Sequence, residues 1–214
     1  MEEPSFLNQQ ERVRIHNNRL PHWEQDDCTY FLSFRLADSL PENLLAEWKE
    51  ERILWLRAHP QPWSEELQRE YQELFSRRRE AWIDQGHGAC PLRDCGLRTA
   101  VQKAIFDRAQ ADAIWSLVLM PNHAHALVSL ADCRDGAIGR LMKRWKGATA
   151  RTANGIRGIQ GAFWAKDYFD RLIRDRRHFL NCVRYIRNNP EKARLRNEEF
   201  TLWEHPHVRG LLDA

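Results

Sequence analysis

The run AIWSLVLMPNHAHALVSL, residues 113–130, decides the fold. Its apolar halves, AIWSLVL and HAHALVSL, are each of strand length, and only Met120-Pro121-Asn122 separates them. A short Pro-Asn junction suits a hairpin or a sharp bend. Successive strand side chains point to opposite faces, so His123 and His125 share one face and Ala124 takes the other. Two strand residues span roughly 6.5–7 Å, which lets both imidazoles converge on one ion. Neutral imidazole is a general ligand for divalent metals, and ligation would offset the cost of burying two histidines in so apolar a strand. An exposed face, or a separate hydrogen bond for each ring, accounts for the same letters.

The neighbouring segments alternate in type. TYFLSFRL (29–36) is aromatic and partly alternating, and reads as a strand. In the next stretch Ser39 is placed to cap a helix and Pro41 sits near its first turn, with Leu44, Leu45, Trp48 and Trp55 at helical spacing. Residues 63–85 read as a second, highly charged helix with Leu67, Tyr71, Leu74 and Trp82 along one side. A third is expected over 97–110, with Leu97, Val101, Ala104, Ile105 and Arg108 on one face. Ile138, Leu141, Met142, Trp145 and Thr149 share one face of a helix over 137–150, and Arg140, Lys143, Arg144 and Lys146 make the other positive. FWAKDYFDRLI (163–173) reads as a strand, and RDRRHFLNCVRYIRNN as a helix that Pro190 ends. This order favours an α+β sandwich with a central antiparallel sheet flanked by helices, most simply ferredoxin-like. One domain is expected over 1–214, with a helical insertion at about 60–96 and a short tail at 197–214.

Composition narrows the class. At 43% hydrophobic the chain can build a core. Its apolar runs fall far short of the ~20 residues of a membrane span. The opening MEEPSFLNQQER is acidic and polar, unlike a signal peptide, so a cytoplasmic location is expected. The five cysteines, Cys28, Cys90, Cys95, Cys133 and Cys182, contain no CxxC pair and suit reduced thiols. Charge is uneven. Residues 134–196 hold seventeen Lys/Arg against five Asp/Glu, whereas residues 1–133 hold fifteen against twenty-one. A basic block of that kind is the footprint of a phosphate-binding face, although a solvated arginine-rich surface has the same composition.

In the last helix Phe179, Leu180, Val183 and Ile186 form an apolar face. Tyr185 and Asn189 lie one turn apart just outside it, separated by about 40°. As ordinary residues they are a core-edge tyrosine and a helix-ending asparagine. Together with the histidines they compose a site. Two nitrogens and the Asn189 carboxamide oxygen suit Mg²⁺ or Mn²⁺, with phosphate oxygens completing the sphere. Beside such an ion Tyr185 would be activated as a nucleophile.

These residues carry a resemblance. MPNHAHALV resembles the His-hydrophobic-His motif of the single-tyrosine HUH transposases, and YIRNNPEKARL resembles their nucleophile helix. RLPHWEQDDCTYFLSFRLADSLP, WKGATART and FWAKDYFDRLIRD follow in the order of the REP-associated tyrosine transposases, across roughly residues 19–196. The resemblance implies a ferredoxin/RRM-like HUH fold, with His123, His125 and Asn189 as metal ligands and Tyr185 as nucleophile. It implies metal-dependent nicking of single-stranded DNA, leaving a 5′-phosphotyrosine and a free 3′-hydroxyl, with rejoining by the reverse attack. The implied partner is REP-type hairpin DNA, bound by a nucleoid-associated monomer or homodimer. Ala124 is smaller than the usual middle residue of the motif, and the 63–85 helix is long for a minimal member.

Arg140, Lys143, Arg144, Lys146, Arg174 and Arg184 are the candidate phosphate contacts, which would position the strand without reading its sequence. Trp145, Phe163 and Trp164 are candidates either for stacking on bases or for the core. Tyr168 is the rival nucleophile, but it lacks a ligand four residues on. The alternative functions are a non-catalytic hairpin-DNA or RNA binding protein and a metal-dependent hydrolase that uses water.

Overall fold

The computed structural model describes residues 3–8, 10–17, 21–60, 63–109, 113–130 and 136–212. A small antiparallel ribbon, β1 (Arg14–Asn17) and β2 (Pro21–Glu24), precedes the main sheet. That sheet has five antiparallel strands: β3 (Thr29–Arg35), β4 (Ala113–Leu119), β5 (His123–Ser129), β6 (Phe169–Leu172) and β7 (Thr201–Glu204). Their order is β6-β3-β5-β4-β7. β4 and β5 form the expected hairpin, closed by the Met120 N–H donating to the His123 carbonyl at 2.9 Å.

The helices are α1 (Glu42–Ala58), α2 (Glu65–Tyr71), α3 (Arg78–Asp84), α4 (Cys95–Ala109), α5 (Ala137–Arg157), α6 (Arg176–Lys192) and α7 (Pro206–Leu212). The series β3-α4-β4-β5-α5-β6 is a ferredoxin-like βαββαβ unit with β3 and β5 at its centre. α1 to α3 stand between its first strand and its first helix, and α6 and β7 extend it. Among the described residues no helix is long and apolar enough to cross a membrane.

Strand alternation divides the core in two. Tyr30, Leu32, Phe34, Ala124, Ala126 and Val128 pack under α4 and α5 with Val101, Ile105, Leu141 and the fully buried Trp145. Phe31, Trp115, Val118 and Leu127 take the other face and pack against Phe179, Val183 and Ile186 of α6. A bulge between Ile114 and Ser116 puts Trp115 and Ser116 out of step in β4.

Local chemistry sets the helix ends. The Asp94 carboxylate accepts from Leu97 N, and Asp175 accepts from His178 N, both at 2.7 Å. Gly136, at φ 76°, begins α5, and Glu24 reaches from β2 to accept from the backbone N–H groups of Gly136 and Ile138.

Several sequence expectations need correction. Ser39 does not cap α1: its hydroxyl donates back to the Leu36 carbonyl, and Pro41 occupies the cap. The 63–85 helix contains a π turn at Gln72–Arg77. The extra residue in such a turn rotates the rest of the helix by about 100°, so Phe75 is buried (3%) and Leu74 is exposed (41%). On α4, Arg98 is buried and Arg108 is exposed. The 163–173 strand shrinks to Phe169–Leu172, because Phe163 and Trp164 turn into the core and Trp164 Nε1 donates to Thr149 Oγ1 at 2.7 Å. α5 runs on to Arg157 before Gly158 stops it at φ 63°. α6 continues through Pro190 to Lys192. Pro190 offers no N–H to the preceding turn. The end is nonetheless held by Ala193 N donating to Asn189 O and Leu195 N donating to Pro190 O, with both acceptor residues buried. Cys28, Cys90, Cys95 and Cys182 are free thiols, and Cys133 lies outside the described residues.

Arg98 ties three segments together. Its guanidinium donates to the carbonyls of Leu92, Arg93 and Glu198 and to Thr201 Oγ1. Arg98→Ala should lower the free energy of unfolding by about 3 kcal/mol in urea titrations, because it leaves buried carbonyls without a donor.

Candidate functional site

β5 is the middle strand, paired on both sides and covered on both faces, so side chains on it are buried wherever they point. His123 and His125 turn toward α6, each 2% exposed. Their ring centroids are 4.8 Å apart. His125 stacks on Phe31 at 5.4 Å. The Tyr185 ring stands edge-on to both, 5.3 Å from His125 and 5.6 Å from Phe31. Asn189, one turn further along α6, is 1% exposed, and its Nδ2 lies 3.4 Å from His125 Nε2. The continuation of α6 past Pro190 buries this carboxamide, where a helix ending there would have left it at an edge. All four side chains belong to one chain.

Burial dominates the electrostatics. It pushes His123 down to about 4 despite the opposing pull of Asp84, and it holds His125 well below its usual value with help from the neighbouring His123. Both rings are therefore neutral and keep a lone pair. The Tyr185 phenol is held well above its usual value, first by burial and then by the nearby Glu80 and Asp84 carboxylates.

By hydrogen-bond geometry four buried polar atoms here are left without a well-formed bond: His123 Nε2, His125 Nδ1, Asn189 Oδ1 and the Tyr185 hydroxyl. Asn189 lies close enough to His123 and Tyr185, and Glu80 to Tyr185, to act on their protonation. Buried polar atoms left so are costly and rare, and here four of them gather in one place. Among the described residues no three His, Cys, Asp or Glu side chains form a metal cluster. The third donor here is a carboxamide oxygen. Two neutral imidazoles and one amide oxygen fit a divalent cation with open positions.

Other residues close the site that the sequence did not single out. Asp84, at the end of α3, has Oδ1 3.8 Å from His123 Nε2 and accepts from Lys192 Nζ at 2.8 Å. Lys192 lies 6.0 Å from the Tyr185 ring centre. It falls seven residues after Tyr185, about 20° away on the helix, so helical spacing could have found it. No local pattern could place Glu80 and Asp84, because their position depends on where α3 folds back. The Asn122 side chain bonds His123 Nδ1 at 2.8 Å.

The remaining candidates do not gather here. Tyr168 packs on the opposite face of the sheet, near Gly139 of α5. Arg140, Lys143, Arg144 and Lys146 belong to α5 and are likewise across the sheet from the histidines. Lys146 Nζ donates to the carbonyls of Ala165 and Lys166. Arg174 and Arg184 are exposed on the α6 side. Trp145, Phe163 and Trp164 are core residues.

No protein-family model matches the chain. An uncharacterized protein of Haemophilus influenzae is 26% identical over 93 residues, covering 34% of this chain and 51% of that protein. The match thus spans about half the length of the curated relative. A solved structure of a REP-associated tyrosine transposase bound to a REP hairpin aligns with a TM-score of 0.39 and 18% identity, over 80% of this chain and 71% of that one. Likeness at this level says nothing of chemistry.

If these donors take up Mn²⁺, the ion at about a hundredfold its Kd should stabilise the chain by about 2.7 kcal/mol. For a chain of this size that is a rise in Tm of about 5–10 °C. His123→Ala and His125→Ala should each remove the shift in a thermal melt.

Proposed function

We propose that this chain is a metal-dependent tyrosine transposase that nicks and rejoins single-stranded DNA at REP-type hairpins. The observation that supports this reading is the convergence of His123, His125, Asn189 and Tyr185, from two segments some sixty residues apart, in one buried cluster. The sequence resemblance supplies the substrate class.

His123 and His125 would hold Mg²⁺ or Mn²⁺ through ring nitrogens and Asn189 through Oδ1. The ion, when bound, supplies Lewis-acid polarisation of the phosphoryl oxygen. Tyr185 is the nucleophile. Its oxygen gives up the phenolic proton and forms a bond to phosphorus. The bond from phosphorus to the 3′ oxygen breaks, and the departing 3′ oxygen takes up a proton to end as a hydroxyl. One proton thus passes in sum from phenol to leaving group. The product is a 5′-phosphotyrosine. Attack by a 3′-hydroxyl on that phosphorus reverses the step and returns the phenol, so no nucleoside triphosphate is consumed. Phe31 and His125 hold the phenol ring edge-on, which limits the directions from which its oxygen can attack. Glu80 and Asp84 disfavour the phenolate and repel phosphate. The cation's charge, or a shift of α3, has to offset them before a strand can enter. Arg174 and Arg184 lie on the α6 side of the sheet and are the nearer phosphate contacts, while the basic face of α5 would hold DNA beyond the cleavage point.

One observation favours a second reading, a non-catalytic hairpin-binding protein: the phenol is buried and held protonated. Incubating the chain with single-stranded oligonucleotides from hairpin repeats and Mn²⁺ separates the readings. A covalent adduct should appear on a denaturing gel, vanish in Tyr185→Phe and persist in Tyr168→Phe, with hairpin binding kept in both. Binding with no adduct in the wild type would favour the binding protein. Cleavage that survives Tyr185→Phe would favour hydrolysis by water.

A further inference from the structure

The Asn122 amide is buried between the end of α3 and the first histidine. Its Nδ2 donates to the backbone carbonyls of Ile83 at 2.9 Å and His87 at 3.3 Å, and its Oδ1 is 2.8 Å from His123 Nδ1. Carbonyl oxygens only accept, so the end of the amide that faces two of them is the NH₂ end. The oxygen therefore faces His123, and it too can only accept. Asn122 Oδ1 is at hydrogen-bond distance from Nδ1, 2.8 Å, whereas Asp84 Oδ1 stands 3.8 Å from Nε2, so the geometry favours the proton on Nδ1. A neutral imidazole has one N–H, which leaves the lone pair on Nε2. That nitrogen is the buried one near Asp84, left without a well-formed bond.

We propose that Asn122 is a positioning residue that fixes the tautomer and ring orientation of His123, and that the carbonyls of Ile83 in α3 and His87 just beyond it fix Asn122 in turn. Metal-bound histidines commonly have their second nitrogen held in this way by an acceptor. Here the acceptor is anchored to the helical segment that precedes α4, which gives that segment a part in the site. The backbone of Asn122 is also pinned, with its carbonyl accepting from Leu36 N at 2.8 Å. The purpose of this arrangement rests on the ion-binding reading above, but its geometry does not.

The test is ¹⁵N NMR of the histidine rings in the full chain, free of metal and DNA, with the His123 signal identified from the His123→Gln variant. The wild type should show the proton on Nδ1. Asn122→Ala should mix the two tautomers and weaken Mn²⁺ binding by about 10–100-fold. Asn122→Asp keeps an accepting oxygen but sets a second oxygen against the two carbonyls, so it should keep the proton on Nδ1 and lose part of the affinity and stability. A proton on Nε2 in the wild type, or an unchanged tautomer in Asn122→Ala, overturns the proposal. If Asn122→Ala does not fold, the wild-type spectrum still decides it, since a proton on Nε2 there is enough to overturn the proposal. The expected tautomers with no Mn²⁺ affinity in the wild type would support the role of Asn122 and overturn the ion-binding reading.

Discussion

The structure turns on the double burial of β5. Hydrogen-bonded to β3 and β4 and covered by helices above and below, it has no wet face. One side is made of alanines, Ala124 and Ala126, set opposite Phe34 and Leu32 of β3, so small residues sit beside large ones under α4 and α5. The other side carries two imidazoles among aromatic rings. A buried polar group without a partner costs on the order of 1–3 kcal/mol. The chain tolerates this at the centre of its sheet, where apolar side chains would pack with less loss, and that is the pattern of a site kept at the expense of stability.

Much of this was legible because strands and helices repeat. Period two put His123 and His125 on one face, and the helical period placed Tyr185 and Asn189 one turn apart. On the inner face of α5, Ile138, Leu141, Met142, Trp145 and Thr149 are all buried as expected, and Ala148 beside them was missed. What escaped the sequence depends on contacts between distant segments. The pre-proline preference that would have ended α6 at Asn189 is a local steric bias, and burial of Asn189 and Pro190 overrides it. The π turn at 72–77 leaves no mark in the hydrophobic pattern beyond Phe75 facing in where Leu74 was expected. Asp84 reaches His123, and Glu80 the phenol, only because the segment folds back across some forty residues of chain.

The basic block also reads differently in three dimensions. In sequence, residues 134–196 are one positive stretch. In space β6 and the 163–168 segment separate it into α5 on one face and α6 on the other. On the histidine side the charge is mixed: Lys192 is paired with Asp84, and Arg187 with Glu204 at 2.7 Å. The field near the phenol is set by the Glu80 and Asp84 carboxylates rather than by the excess of arginine.

β5 and α6 of one polypeptide supply every member of the constellation, so a single copy holds the phenol and both imidazoles together. Were each copy to keep its own α6 within an assembly, two defective copies, one lacking the phenol and the other an imidazole, would not repair each other when mixed.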